Sequence, residues 1–174
     1  MKRLITILFV WFLLSIPSIA QSVKVVSFPQ FVSNSLVVFS KYVNWPINHK
    51  SGDFVITIIG DQAVYKELTN TSQSLTVGAQ KIIVRYCSKV TEVDGFSHII
   101  FLSENSSSSF RKLLEKIGTD NTLLVTSSEG LLGSGSEINF VPVDGYMKFE
   151  LSKNNINKRN LEIHSWLEKM ALKS

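Results

Sequence analysis

The chain has one cysteine, three histidines and four prolines in 174 residues, and so few of the usual carriers of chemistry. With Cys87 alone no intramolecular disulfide can form, and stability must come from packing. No neighbouring pattern argues for a lowered thiol pKa, so Cys87 reads as a small buried hydrophobe. His49, His98 and His164 lie far apart, and none sits in a pair spaced for metal ligation. His98 leads an apolar run and reads as a hydrogen-bonded core residue, whereas His164 reads as surface. Glu67, Glu150 and Glu162 are scattered as solvated carboxylates are. The chain also lacks a Gly-x-Ser-x-Gly elbow. Catalytic residues, metal ligands and a bound cofactor are therefore not expected. Nor is there a strong charge of one sign. Lys2 and Arg3 are the only charges before Gln21, so the formal charge of +4 falls to +2 beyond that point, which is no nucleic-acid footprint.

After residue 20 no apolar run is long enough to span a bilayer. The one long run comes first, in MKRLITILFVWFLLSIPSIAQ. Two basic residues, an apolar stretch from Leu4 to Leu14 and small residues at Ser18 to Ala20 have the layout of a secretory leader cleaved after Ala20. A spanning anchor would need about 20 apolar residues, and Ser15, Pro17 and Ser18 interrupt this run first. No lipid-modifiable cysteine follows. The expected product is exported, periplasmic or secreted, and covers 21–174 as a single domain.

Within that span helices and strands alternate. In FPQFVSNSLVVFSKYV, residues 28–43, Phe28, Phe31, Val32, Leu36, Phe39 and Val43 repeat at helical spacing, and Asn44-Trp45-Pro46 should end the helix. FVITIIG (54–60), KIIVRY (81–86), HIIFL (98–102) and TLLV (122–125) are short continuous apolar runs of strand length. QAVYKEL (62–68) has room for two helical turns, and SSSSFRKLLEKIG predicts a serine-capped helix stopped by Gly118. Strands without polar alternation belong to a sheet covered on both faces. The predicted fold is thus a three-layer α/β sandwich, with a mostly parallel sheet flanked by helices. EINFV (137–141) and YMKFEL (146–151) around Asp144-Gly145 add an antiparallel hairpin near the C-terminus. NNINKRNLEIHSWLEKMAL is expected to close the chain as one helix.

GLLGSGSEINFV, 130–141, invites a phosphate-binding reading and fails it. A Walker loop needs Lys and then Ser or Thr after its last glycine, where this stretch has Ser136-Glu137. A dinucleotide loop lies between the first strand and first helix, while this one comes late and runs into a strand. The glycines are expected to shape a structural turn, with Asn139 pairing its amide inside the sheet or to a loop.

FSKYVNWP at the end of the first helix, SHIIFLS, EGLLGSGSEINFV, KFEL and NKRNLEIHSWLEKMA, in that order and from roughly Ser27 to Leu172, resemble the YfiR family of bacterial periplasmic proteins. The resemblance implies a three-layer α/β domain without catalytic activity. It further implies a periplasmic repressor that restrains a membrane-bound diguanylate cyclase through the cyclase's periplasmic sensor domain, limiting cyclic-di-GMP signalling and biofilm formation. Trp45 and Pro46 match the family's Trp-Pro, Gly135 and Asn139 its Gly-rich turn and Ile-Asn, and Arg159 the arginine of the last helix. Redox-regulated members carry paired cysteines. Here Ser97 stands where many relatives have Cys before the His, so disulfide control is not expected.

The implied partner is a membrane-bound sensor protein, a diguanylate cyclase or a sensor kinase; a homodimer is left open. The alternative is a periplasmic small-ligand-binding module, since α/β sheets carry crevices at their strand carboxyl ends. A regulator predicts an exposed apolar patch, a ligand binder a concave pocket with convergent polar groups, an enzyme clustered titratable side chains. Tyr42, Trp45 and Pro46 mark the corner where aromatics are either presented to a partner or, for Trp45, packed under the sheet.

Overall fold

The computed structural model describes residues 26–172, so the expected leader lies outside the described residues. The first helix, α1 (Phe28–Tyr42), starts on a capping box in which Ser27 and Gln30 satisfy each other's backbone N–H. It stops where expected. Val43 and Asn44 turn extended as a short strand β1, and Pro46 then leads a 3₁₀ turn at Ile47–His49.

The sheet is built around β2 (Phe54–Ile59), every residue of which is buried. After β2 come α2 (Gln62–Ser72), β3 (Thr76–Val77), β4 (Gln80–Cys87), β5 (Ile99–Leu102), α3 (Phe110–Ile117), β6 (Leu123–Thr126) and a single-turn α4 (Leu131–Ser134). The chain continues through β7 (Ile138–Val143), β8 (Tyr146–Leu151), α5 (Lys153–Lys158), β9 (Glu162–Ile163) and α6 (Ser165–Met170). Seven strands form one sheet in the order β3-β4-β2-β5-β6-β7-β8, and β1 pairs with β9 in a separate two-stranded ribbon. From β4 to β7 all neighbours are parallel; β3 and β8 are antiparallel edges. Asp144 and Gly145, both at positive φ, make the two-residue turn between β7 and β8.

Alternate residues of the central strands serve two cores. Phe54, Ile56, Ile58, Ile99, Phe101, Leu123, Val125, Ile138 and Phe140 face α1 and α2. Ile59, Ile100, Leu102 and Leu124 face α3 with Cys87. The sandwich of three layers follows directly. Cys87 is buried, and burial raises its pKa, first by desolvation and then through Glu92.

Two expectations need correction. The C-terminal segment is not one helix: Asn160 takes a left-handed φ of 52°, Leu161 turns inward, and Glu162–Ile163 leave helical geometry to pair with β1. The backbone groups of that stretch bond across to Asn44 and Val43 instead of along a helix. Nor do the serines cap α3 with their side chains: Glu104–Ser109 form a 3₁₀ turn, and Ser109 makes no side-chain cap bond.

That 3₁₀ turn matters for function. Strand order reverses between β2 and β5, where open α/β sheets usually bind ligands. Here the crevice is filled by the chain itself, with Ser103 and Ser106 packed against Gly60; a Cβ on Gly60 would run into Ser106 Oγ and lie 2.7 Å from Ser103 Oγ. Gly60 and Gly52 both have positive φ, but Gly52 faces open space. Gly52→Ala is expected to cost about 1 kcal/mol for conformation alone, and Gly60→Ala about 2–4 kcal/mol because collision is added. Urea unfolding of the two variants checks this; equal losses would show that the turn yields freely.

Candidate interaction surface

The β1–β9 ribbon decides what the surface presents. Val43 pairs with Ile163 and Asn44 with Glu162, and the His164 N–H donates to the Tyr42 carbonyl at 2.9 Å. His164 then caps α6, its Nδ1 accepting from the Trp166 N–H at 3.2 Å. Trp166 is thereby laid on Tyr42, with ring centroids 4.6 Å apart and nearly stacked. Both rings stay partly in solvent, at 37% and 41% exposure.

Beside this pair α1, β8 and α6 enclose an apolar groove of about 350 Å³, in which Phe31, Val38, Phe149, Trp166 and Met170 provide most of the wall. Among the described residues that line it, Asn34 and Ser35 are the polar ones besides the Trp166 indole, and none is titratable. Val26 and Met170, each 58% exposed, stand at its rim. A groove of this composition can bury apolar groups of a partner and cannot move a proton. Aromatic and methionine side chains suit such contacts because they bury large area with adaptable or low-entropy geometry.

The other sequence-derived residues are distributed elsewhere. Trp45 is buried, its Nε1 donating to the Asn121 carbonyl at 2.9 Å and its ring meeting Phe54 edge-on at 5.0 Å, so it packs rather than presents. Pro46 caps the 3₁₀ turn beside it. Gly135, at φ 126°, ends α4, and Gly130, at φ 78°, begins it. Asn139 is fully buried: its Oδ1 accepts from Thr126 Oγ1 at 2.7 Å and from the Ser128 N–H at 3.2 Å, and its Nδ2 donates to Glu150 at 3.1 Å. Arg159 is buried against Glu137, Nε to Oε1 3.1 Å, and its Nη1 donates to the Gly118 carbonyl at 2.6 Å. Of the six, only Tyr42 reaches the groove region. Trp166 and Met170 do not stand out in the sequence as surface groups, because a continuous helix from Asn154 places them on one face with Ile156 and Ile163.

The histidines are structural. His98 Nδ1 accepts the Val55 N–H at 3.0 Å, which leaves Nε2 to donate to the His49 carbonyl at 2.9 Å. Burial lowers its pKa and keeps the ring neutral. Among the described residues no cluster of three or more His, Cys, Asp or Glu could hold a metal ion.

Fold and surface together define an α/β domain of three layers with an exposed apolar groove. Family comparison is specific: the YfiR/HmsC-like family matches residues 29–172, and the chain belongs to that family. It is a family of regulators and not a known enzyme family. No curated protein matches the chain.

Proposed function

We propose that the protein is an exported negative regulator that binds the periplasmic sensor domain of a membrane signalling enzyme, a diguanylate cyclase, and holds it inactive. The observation that carries this reading is the exposed apolar groove beside the Tyr42–Trp166 stack, with no titratable group among the described residues that line it, on a YfiR/HmsC-like chain. The export layout of residues 1–20 supports the compartment. Such a repressor needs no chemistry. Preferential binding to the sensor's inactive state shifts its equilibrium by the differential affinity alone.

Deleting the gene is expected to raise cellular cyclic-di-GMP and surface attachment, and restoring the exported chain to reverse both. A version without residues 1–20 should fail to complement, since it never meets its partner. Trp166→Ala with Met170→Glu should remain folded, both positions being exposed, yet fail to restrain the cyclase. Unchanged cyclic-di-GMP on deletion would sink the cyclase partner. If the double variant were fully active, the groove would not be the contact. A dimer in solution that dissociates in the double variant would assign the groove to self-association instead.

A further inference from the structure

The apolar groove starts where the described chain starts. Val26 lines it and is 58% exposed, and Ser27, the next residue, already caps α1, so the backbone enters at the helix-start end of the groove. From there the groove follows one face of α1 through Phe31, Asn34, Ser35 and Val38, at helical spacing. At about 1.5 Å per residue, Phe31 to Val38 covers about 10 Å of helix axis. Once a leader ending at Ala20 is gone, two pieces of this chain adjoin the described residues: 21–25, Gln-Ser-Val-Lys-Val, and 173–174, Lys-Ser. The second carries no apolar side chain. The first alternates, and in extended backbone Val23 and Val25 share one side while Ser22 and Lys24 take the other.

We infer that residues 21–25 lie extended along this groove in the mature chain without a partner, Val23 and Val25 on its apolar floor and Lys24 toward solvent. The reach is sufficient: five extended residues span about 16 Å, more than the helix face they have to cover after turning back at Val26. The chemistry matches as well. Phe31, Val38, Phe149 and Met170 offer apolar surface to the two valines, and none of the described residues that line the groove is titratable, so the one charge of the segment belongs outside it. Tethering at Val26 sets an effective concentration on the order of millimolar that does not depend on how much protein is present. The inference rests on cleavage after Ala20 and not on the cyclase reading. A partner that uses the groove displaces the segment, and its apparent affinity is lowered by the fraction of chains in which the groove is covered.

The test is iodide quenching of tryptophan fluorescence in the chain beginning at Gln21, with no partner present, so its outcome is independent of any cyclase. Trp11 leaves with the leader and Trp45 is 4% exposed, which makes Trp166, 41% exposed among the described residues, the ring that iodide reaches. Val23→Asp with Val25→Asp should raise the quenching constant at least about twofold with an unchanged circular dichroism spectrum, because a carboxylate is expelled from an apolar floor. A nitroxide on Ser22→Cys gives a second reading in a chain that keeps both valines. Cys87 is buried, so the introduced thiol is the one that reacts. The label should dim the fluorescence, and Trp166→Phe should abolish the dimming. Equal quenching of the parent chain and the double variant overturns the inference, as does dimming that survives Trp166→Phe. Protection of Trp166 that is lost on about tenfold dilution overturns it too, because a tethered segment is insensitive to dilution and a second copy is not.

Discussion

Arg159→Met will destabilise the protein by about 3–5 kcal/mol above neutral pH, and by much less at pH 5. Among the described residues the guanidinium is the one cation paired with Glu137, which is 1% exposed, and it also donates to the carbonyls of Gly118 and Asp120. Glu137 in turn accepts the Leu124 N–H at 2.7 Å. Burial pushes the Glu137 carboxyl up to about 7, against the opposing pull of Arg159 and of that N–H. Its folded-state pKa thus lies above that of an unfolded glutamate, about 4.3. The folded state therefore holds the proton more tightly. This group's stabilising share is complete below the unfolded value and is lost as pH rises through about 7, roughly 3–4 kcal/mol in all. Without Arg159 the carboxylate keeps the Leu124 N–H but has no charged partner, so the loss grows with pH. At pH 5 the proton neutralises it, and only hydrogen bonds are forfeited. Guanidinium unfolding of the variant between pH 5 and 8 checks the slope, and Arg159→Met combined with Glu137→Leu should recover most of the stability. A pH-independent loss would mean that packing of the arginine stem, not charge, holds this site.

Trp45→Ala should cost a comparable 3–5 kcal/mol, roughly, for a different reason. The indole is 4% exposed and joins three separate parts of the chain: the β2 residue Phe54, His98 before β5, and the Asn121 carbonyl before β6. Truncation opens a cavity and orphans that carbonyl. Trp45→Phe should recover much of the packing without the hydrogen bond and lose about 1–2 kcal/mol. Thermal and urea unfolding measure both. If Trp45→Ala remained as stable as wild type, the ring would be free to serve a partner.

The central sheet was legible because its signal is local. FVITII, IIFL and LLVT are buried on both faces, and only a covered parallel sheet places such runs side by side. The hairpin was legible too, since Asp144-Gly145 meets the backbone demand of a two-residue turn. What sequence could not show depends on partners far along the chain. LEIHSWLEKM has helical spacing, and only the pairing of Glu162 and Ile163 with Asn44 and Val43 turns part of it into strand. The groove beside Trp166 depends on that pairing, so it was invisible along with it. Arg159 stood out as a family mark, but nothing in its neighbours announced Glu137, 22 positions away.

The β1–β9 ribbon also sets a schedule. Asn44 and Glu162, whose side chains meet across it, are 118 residues apart. One wall of the aromatic groove is therefore made early in synthesis and the other late, and neither is a groove alone. During synthesis the α1 wall exists without α6, so the groove is incomplete until the intervening sheet has formed.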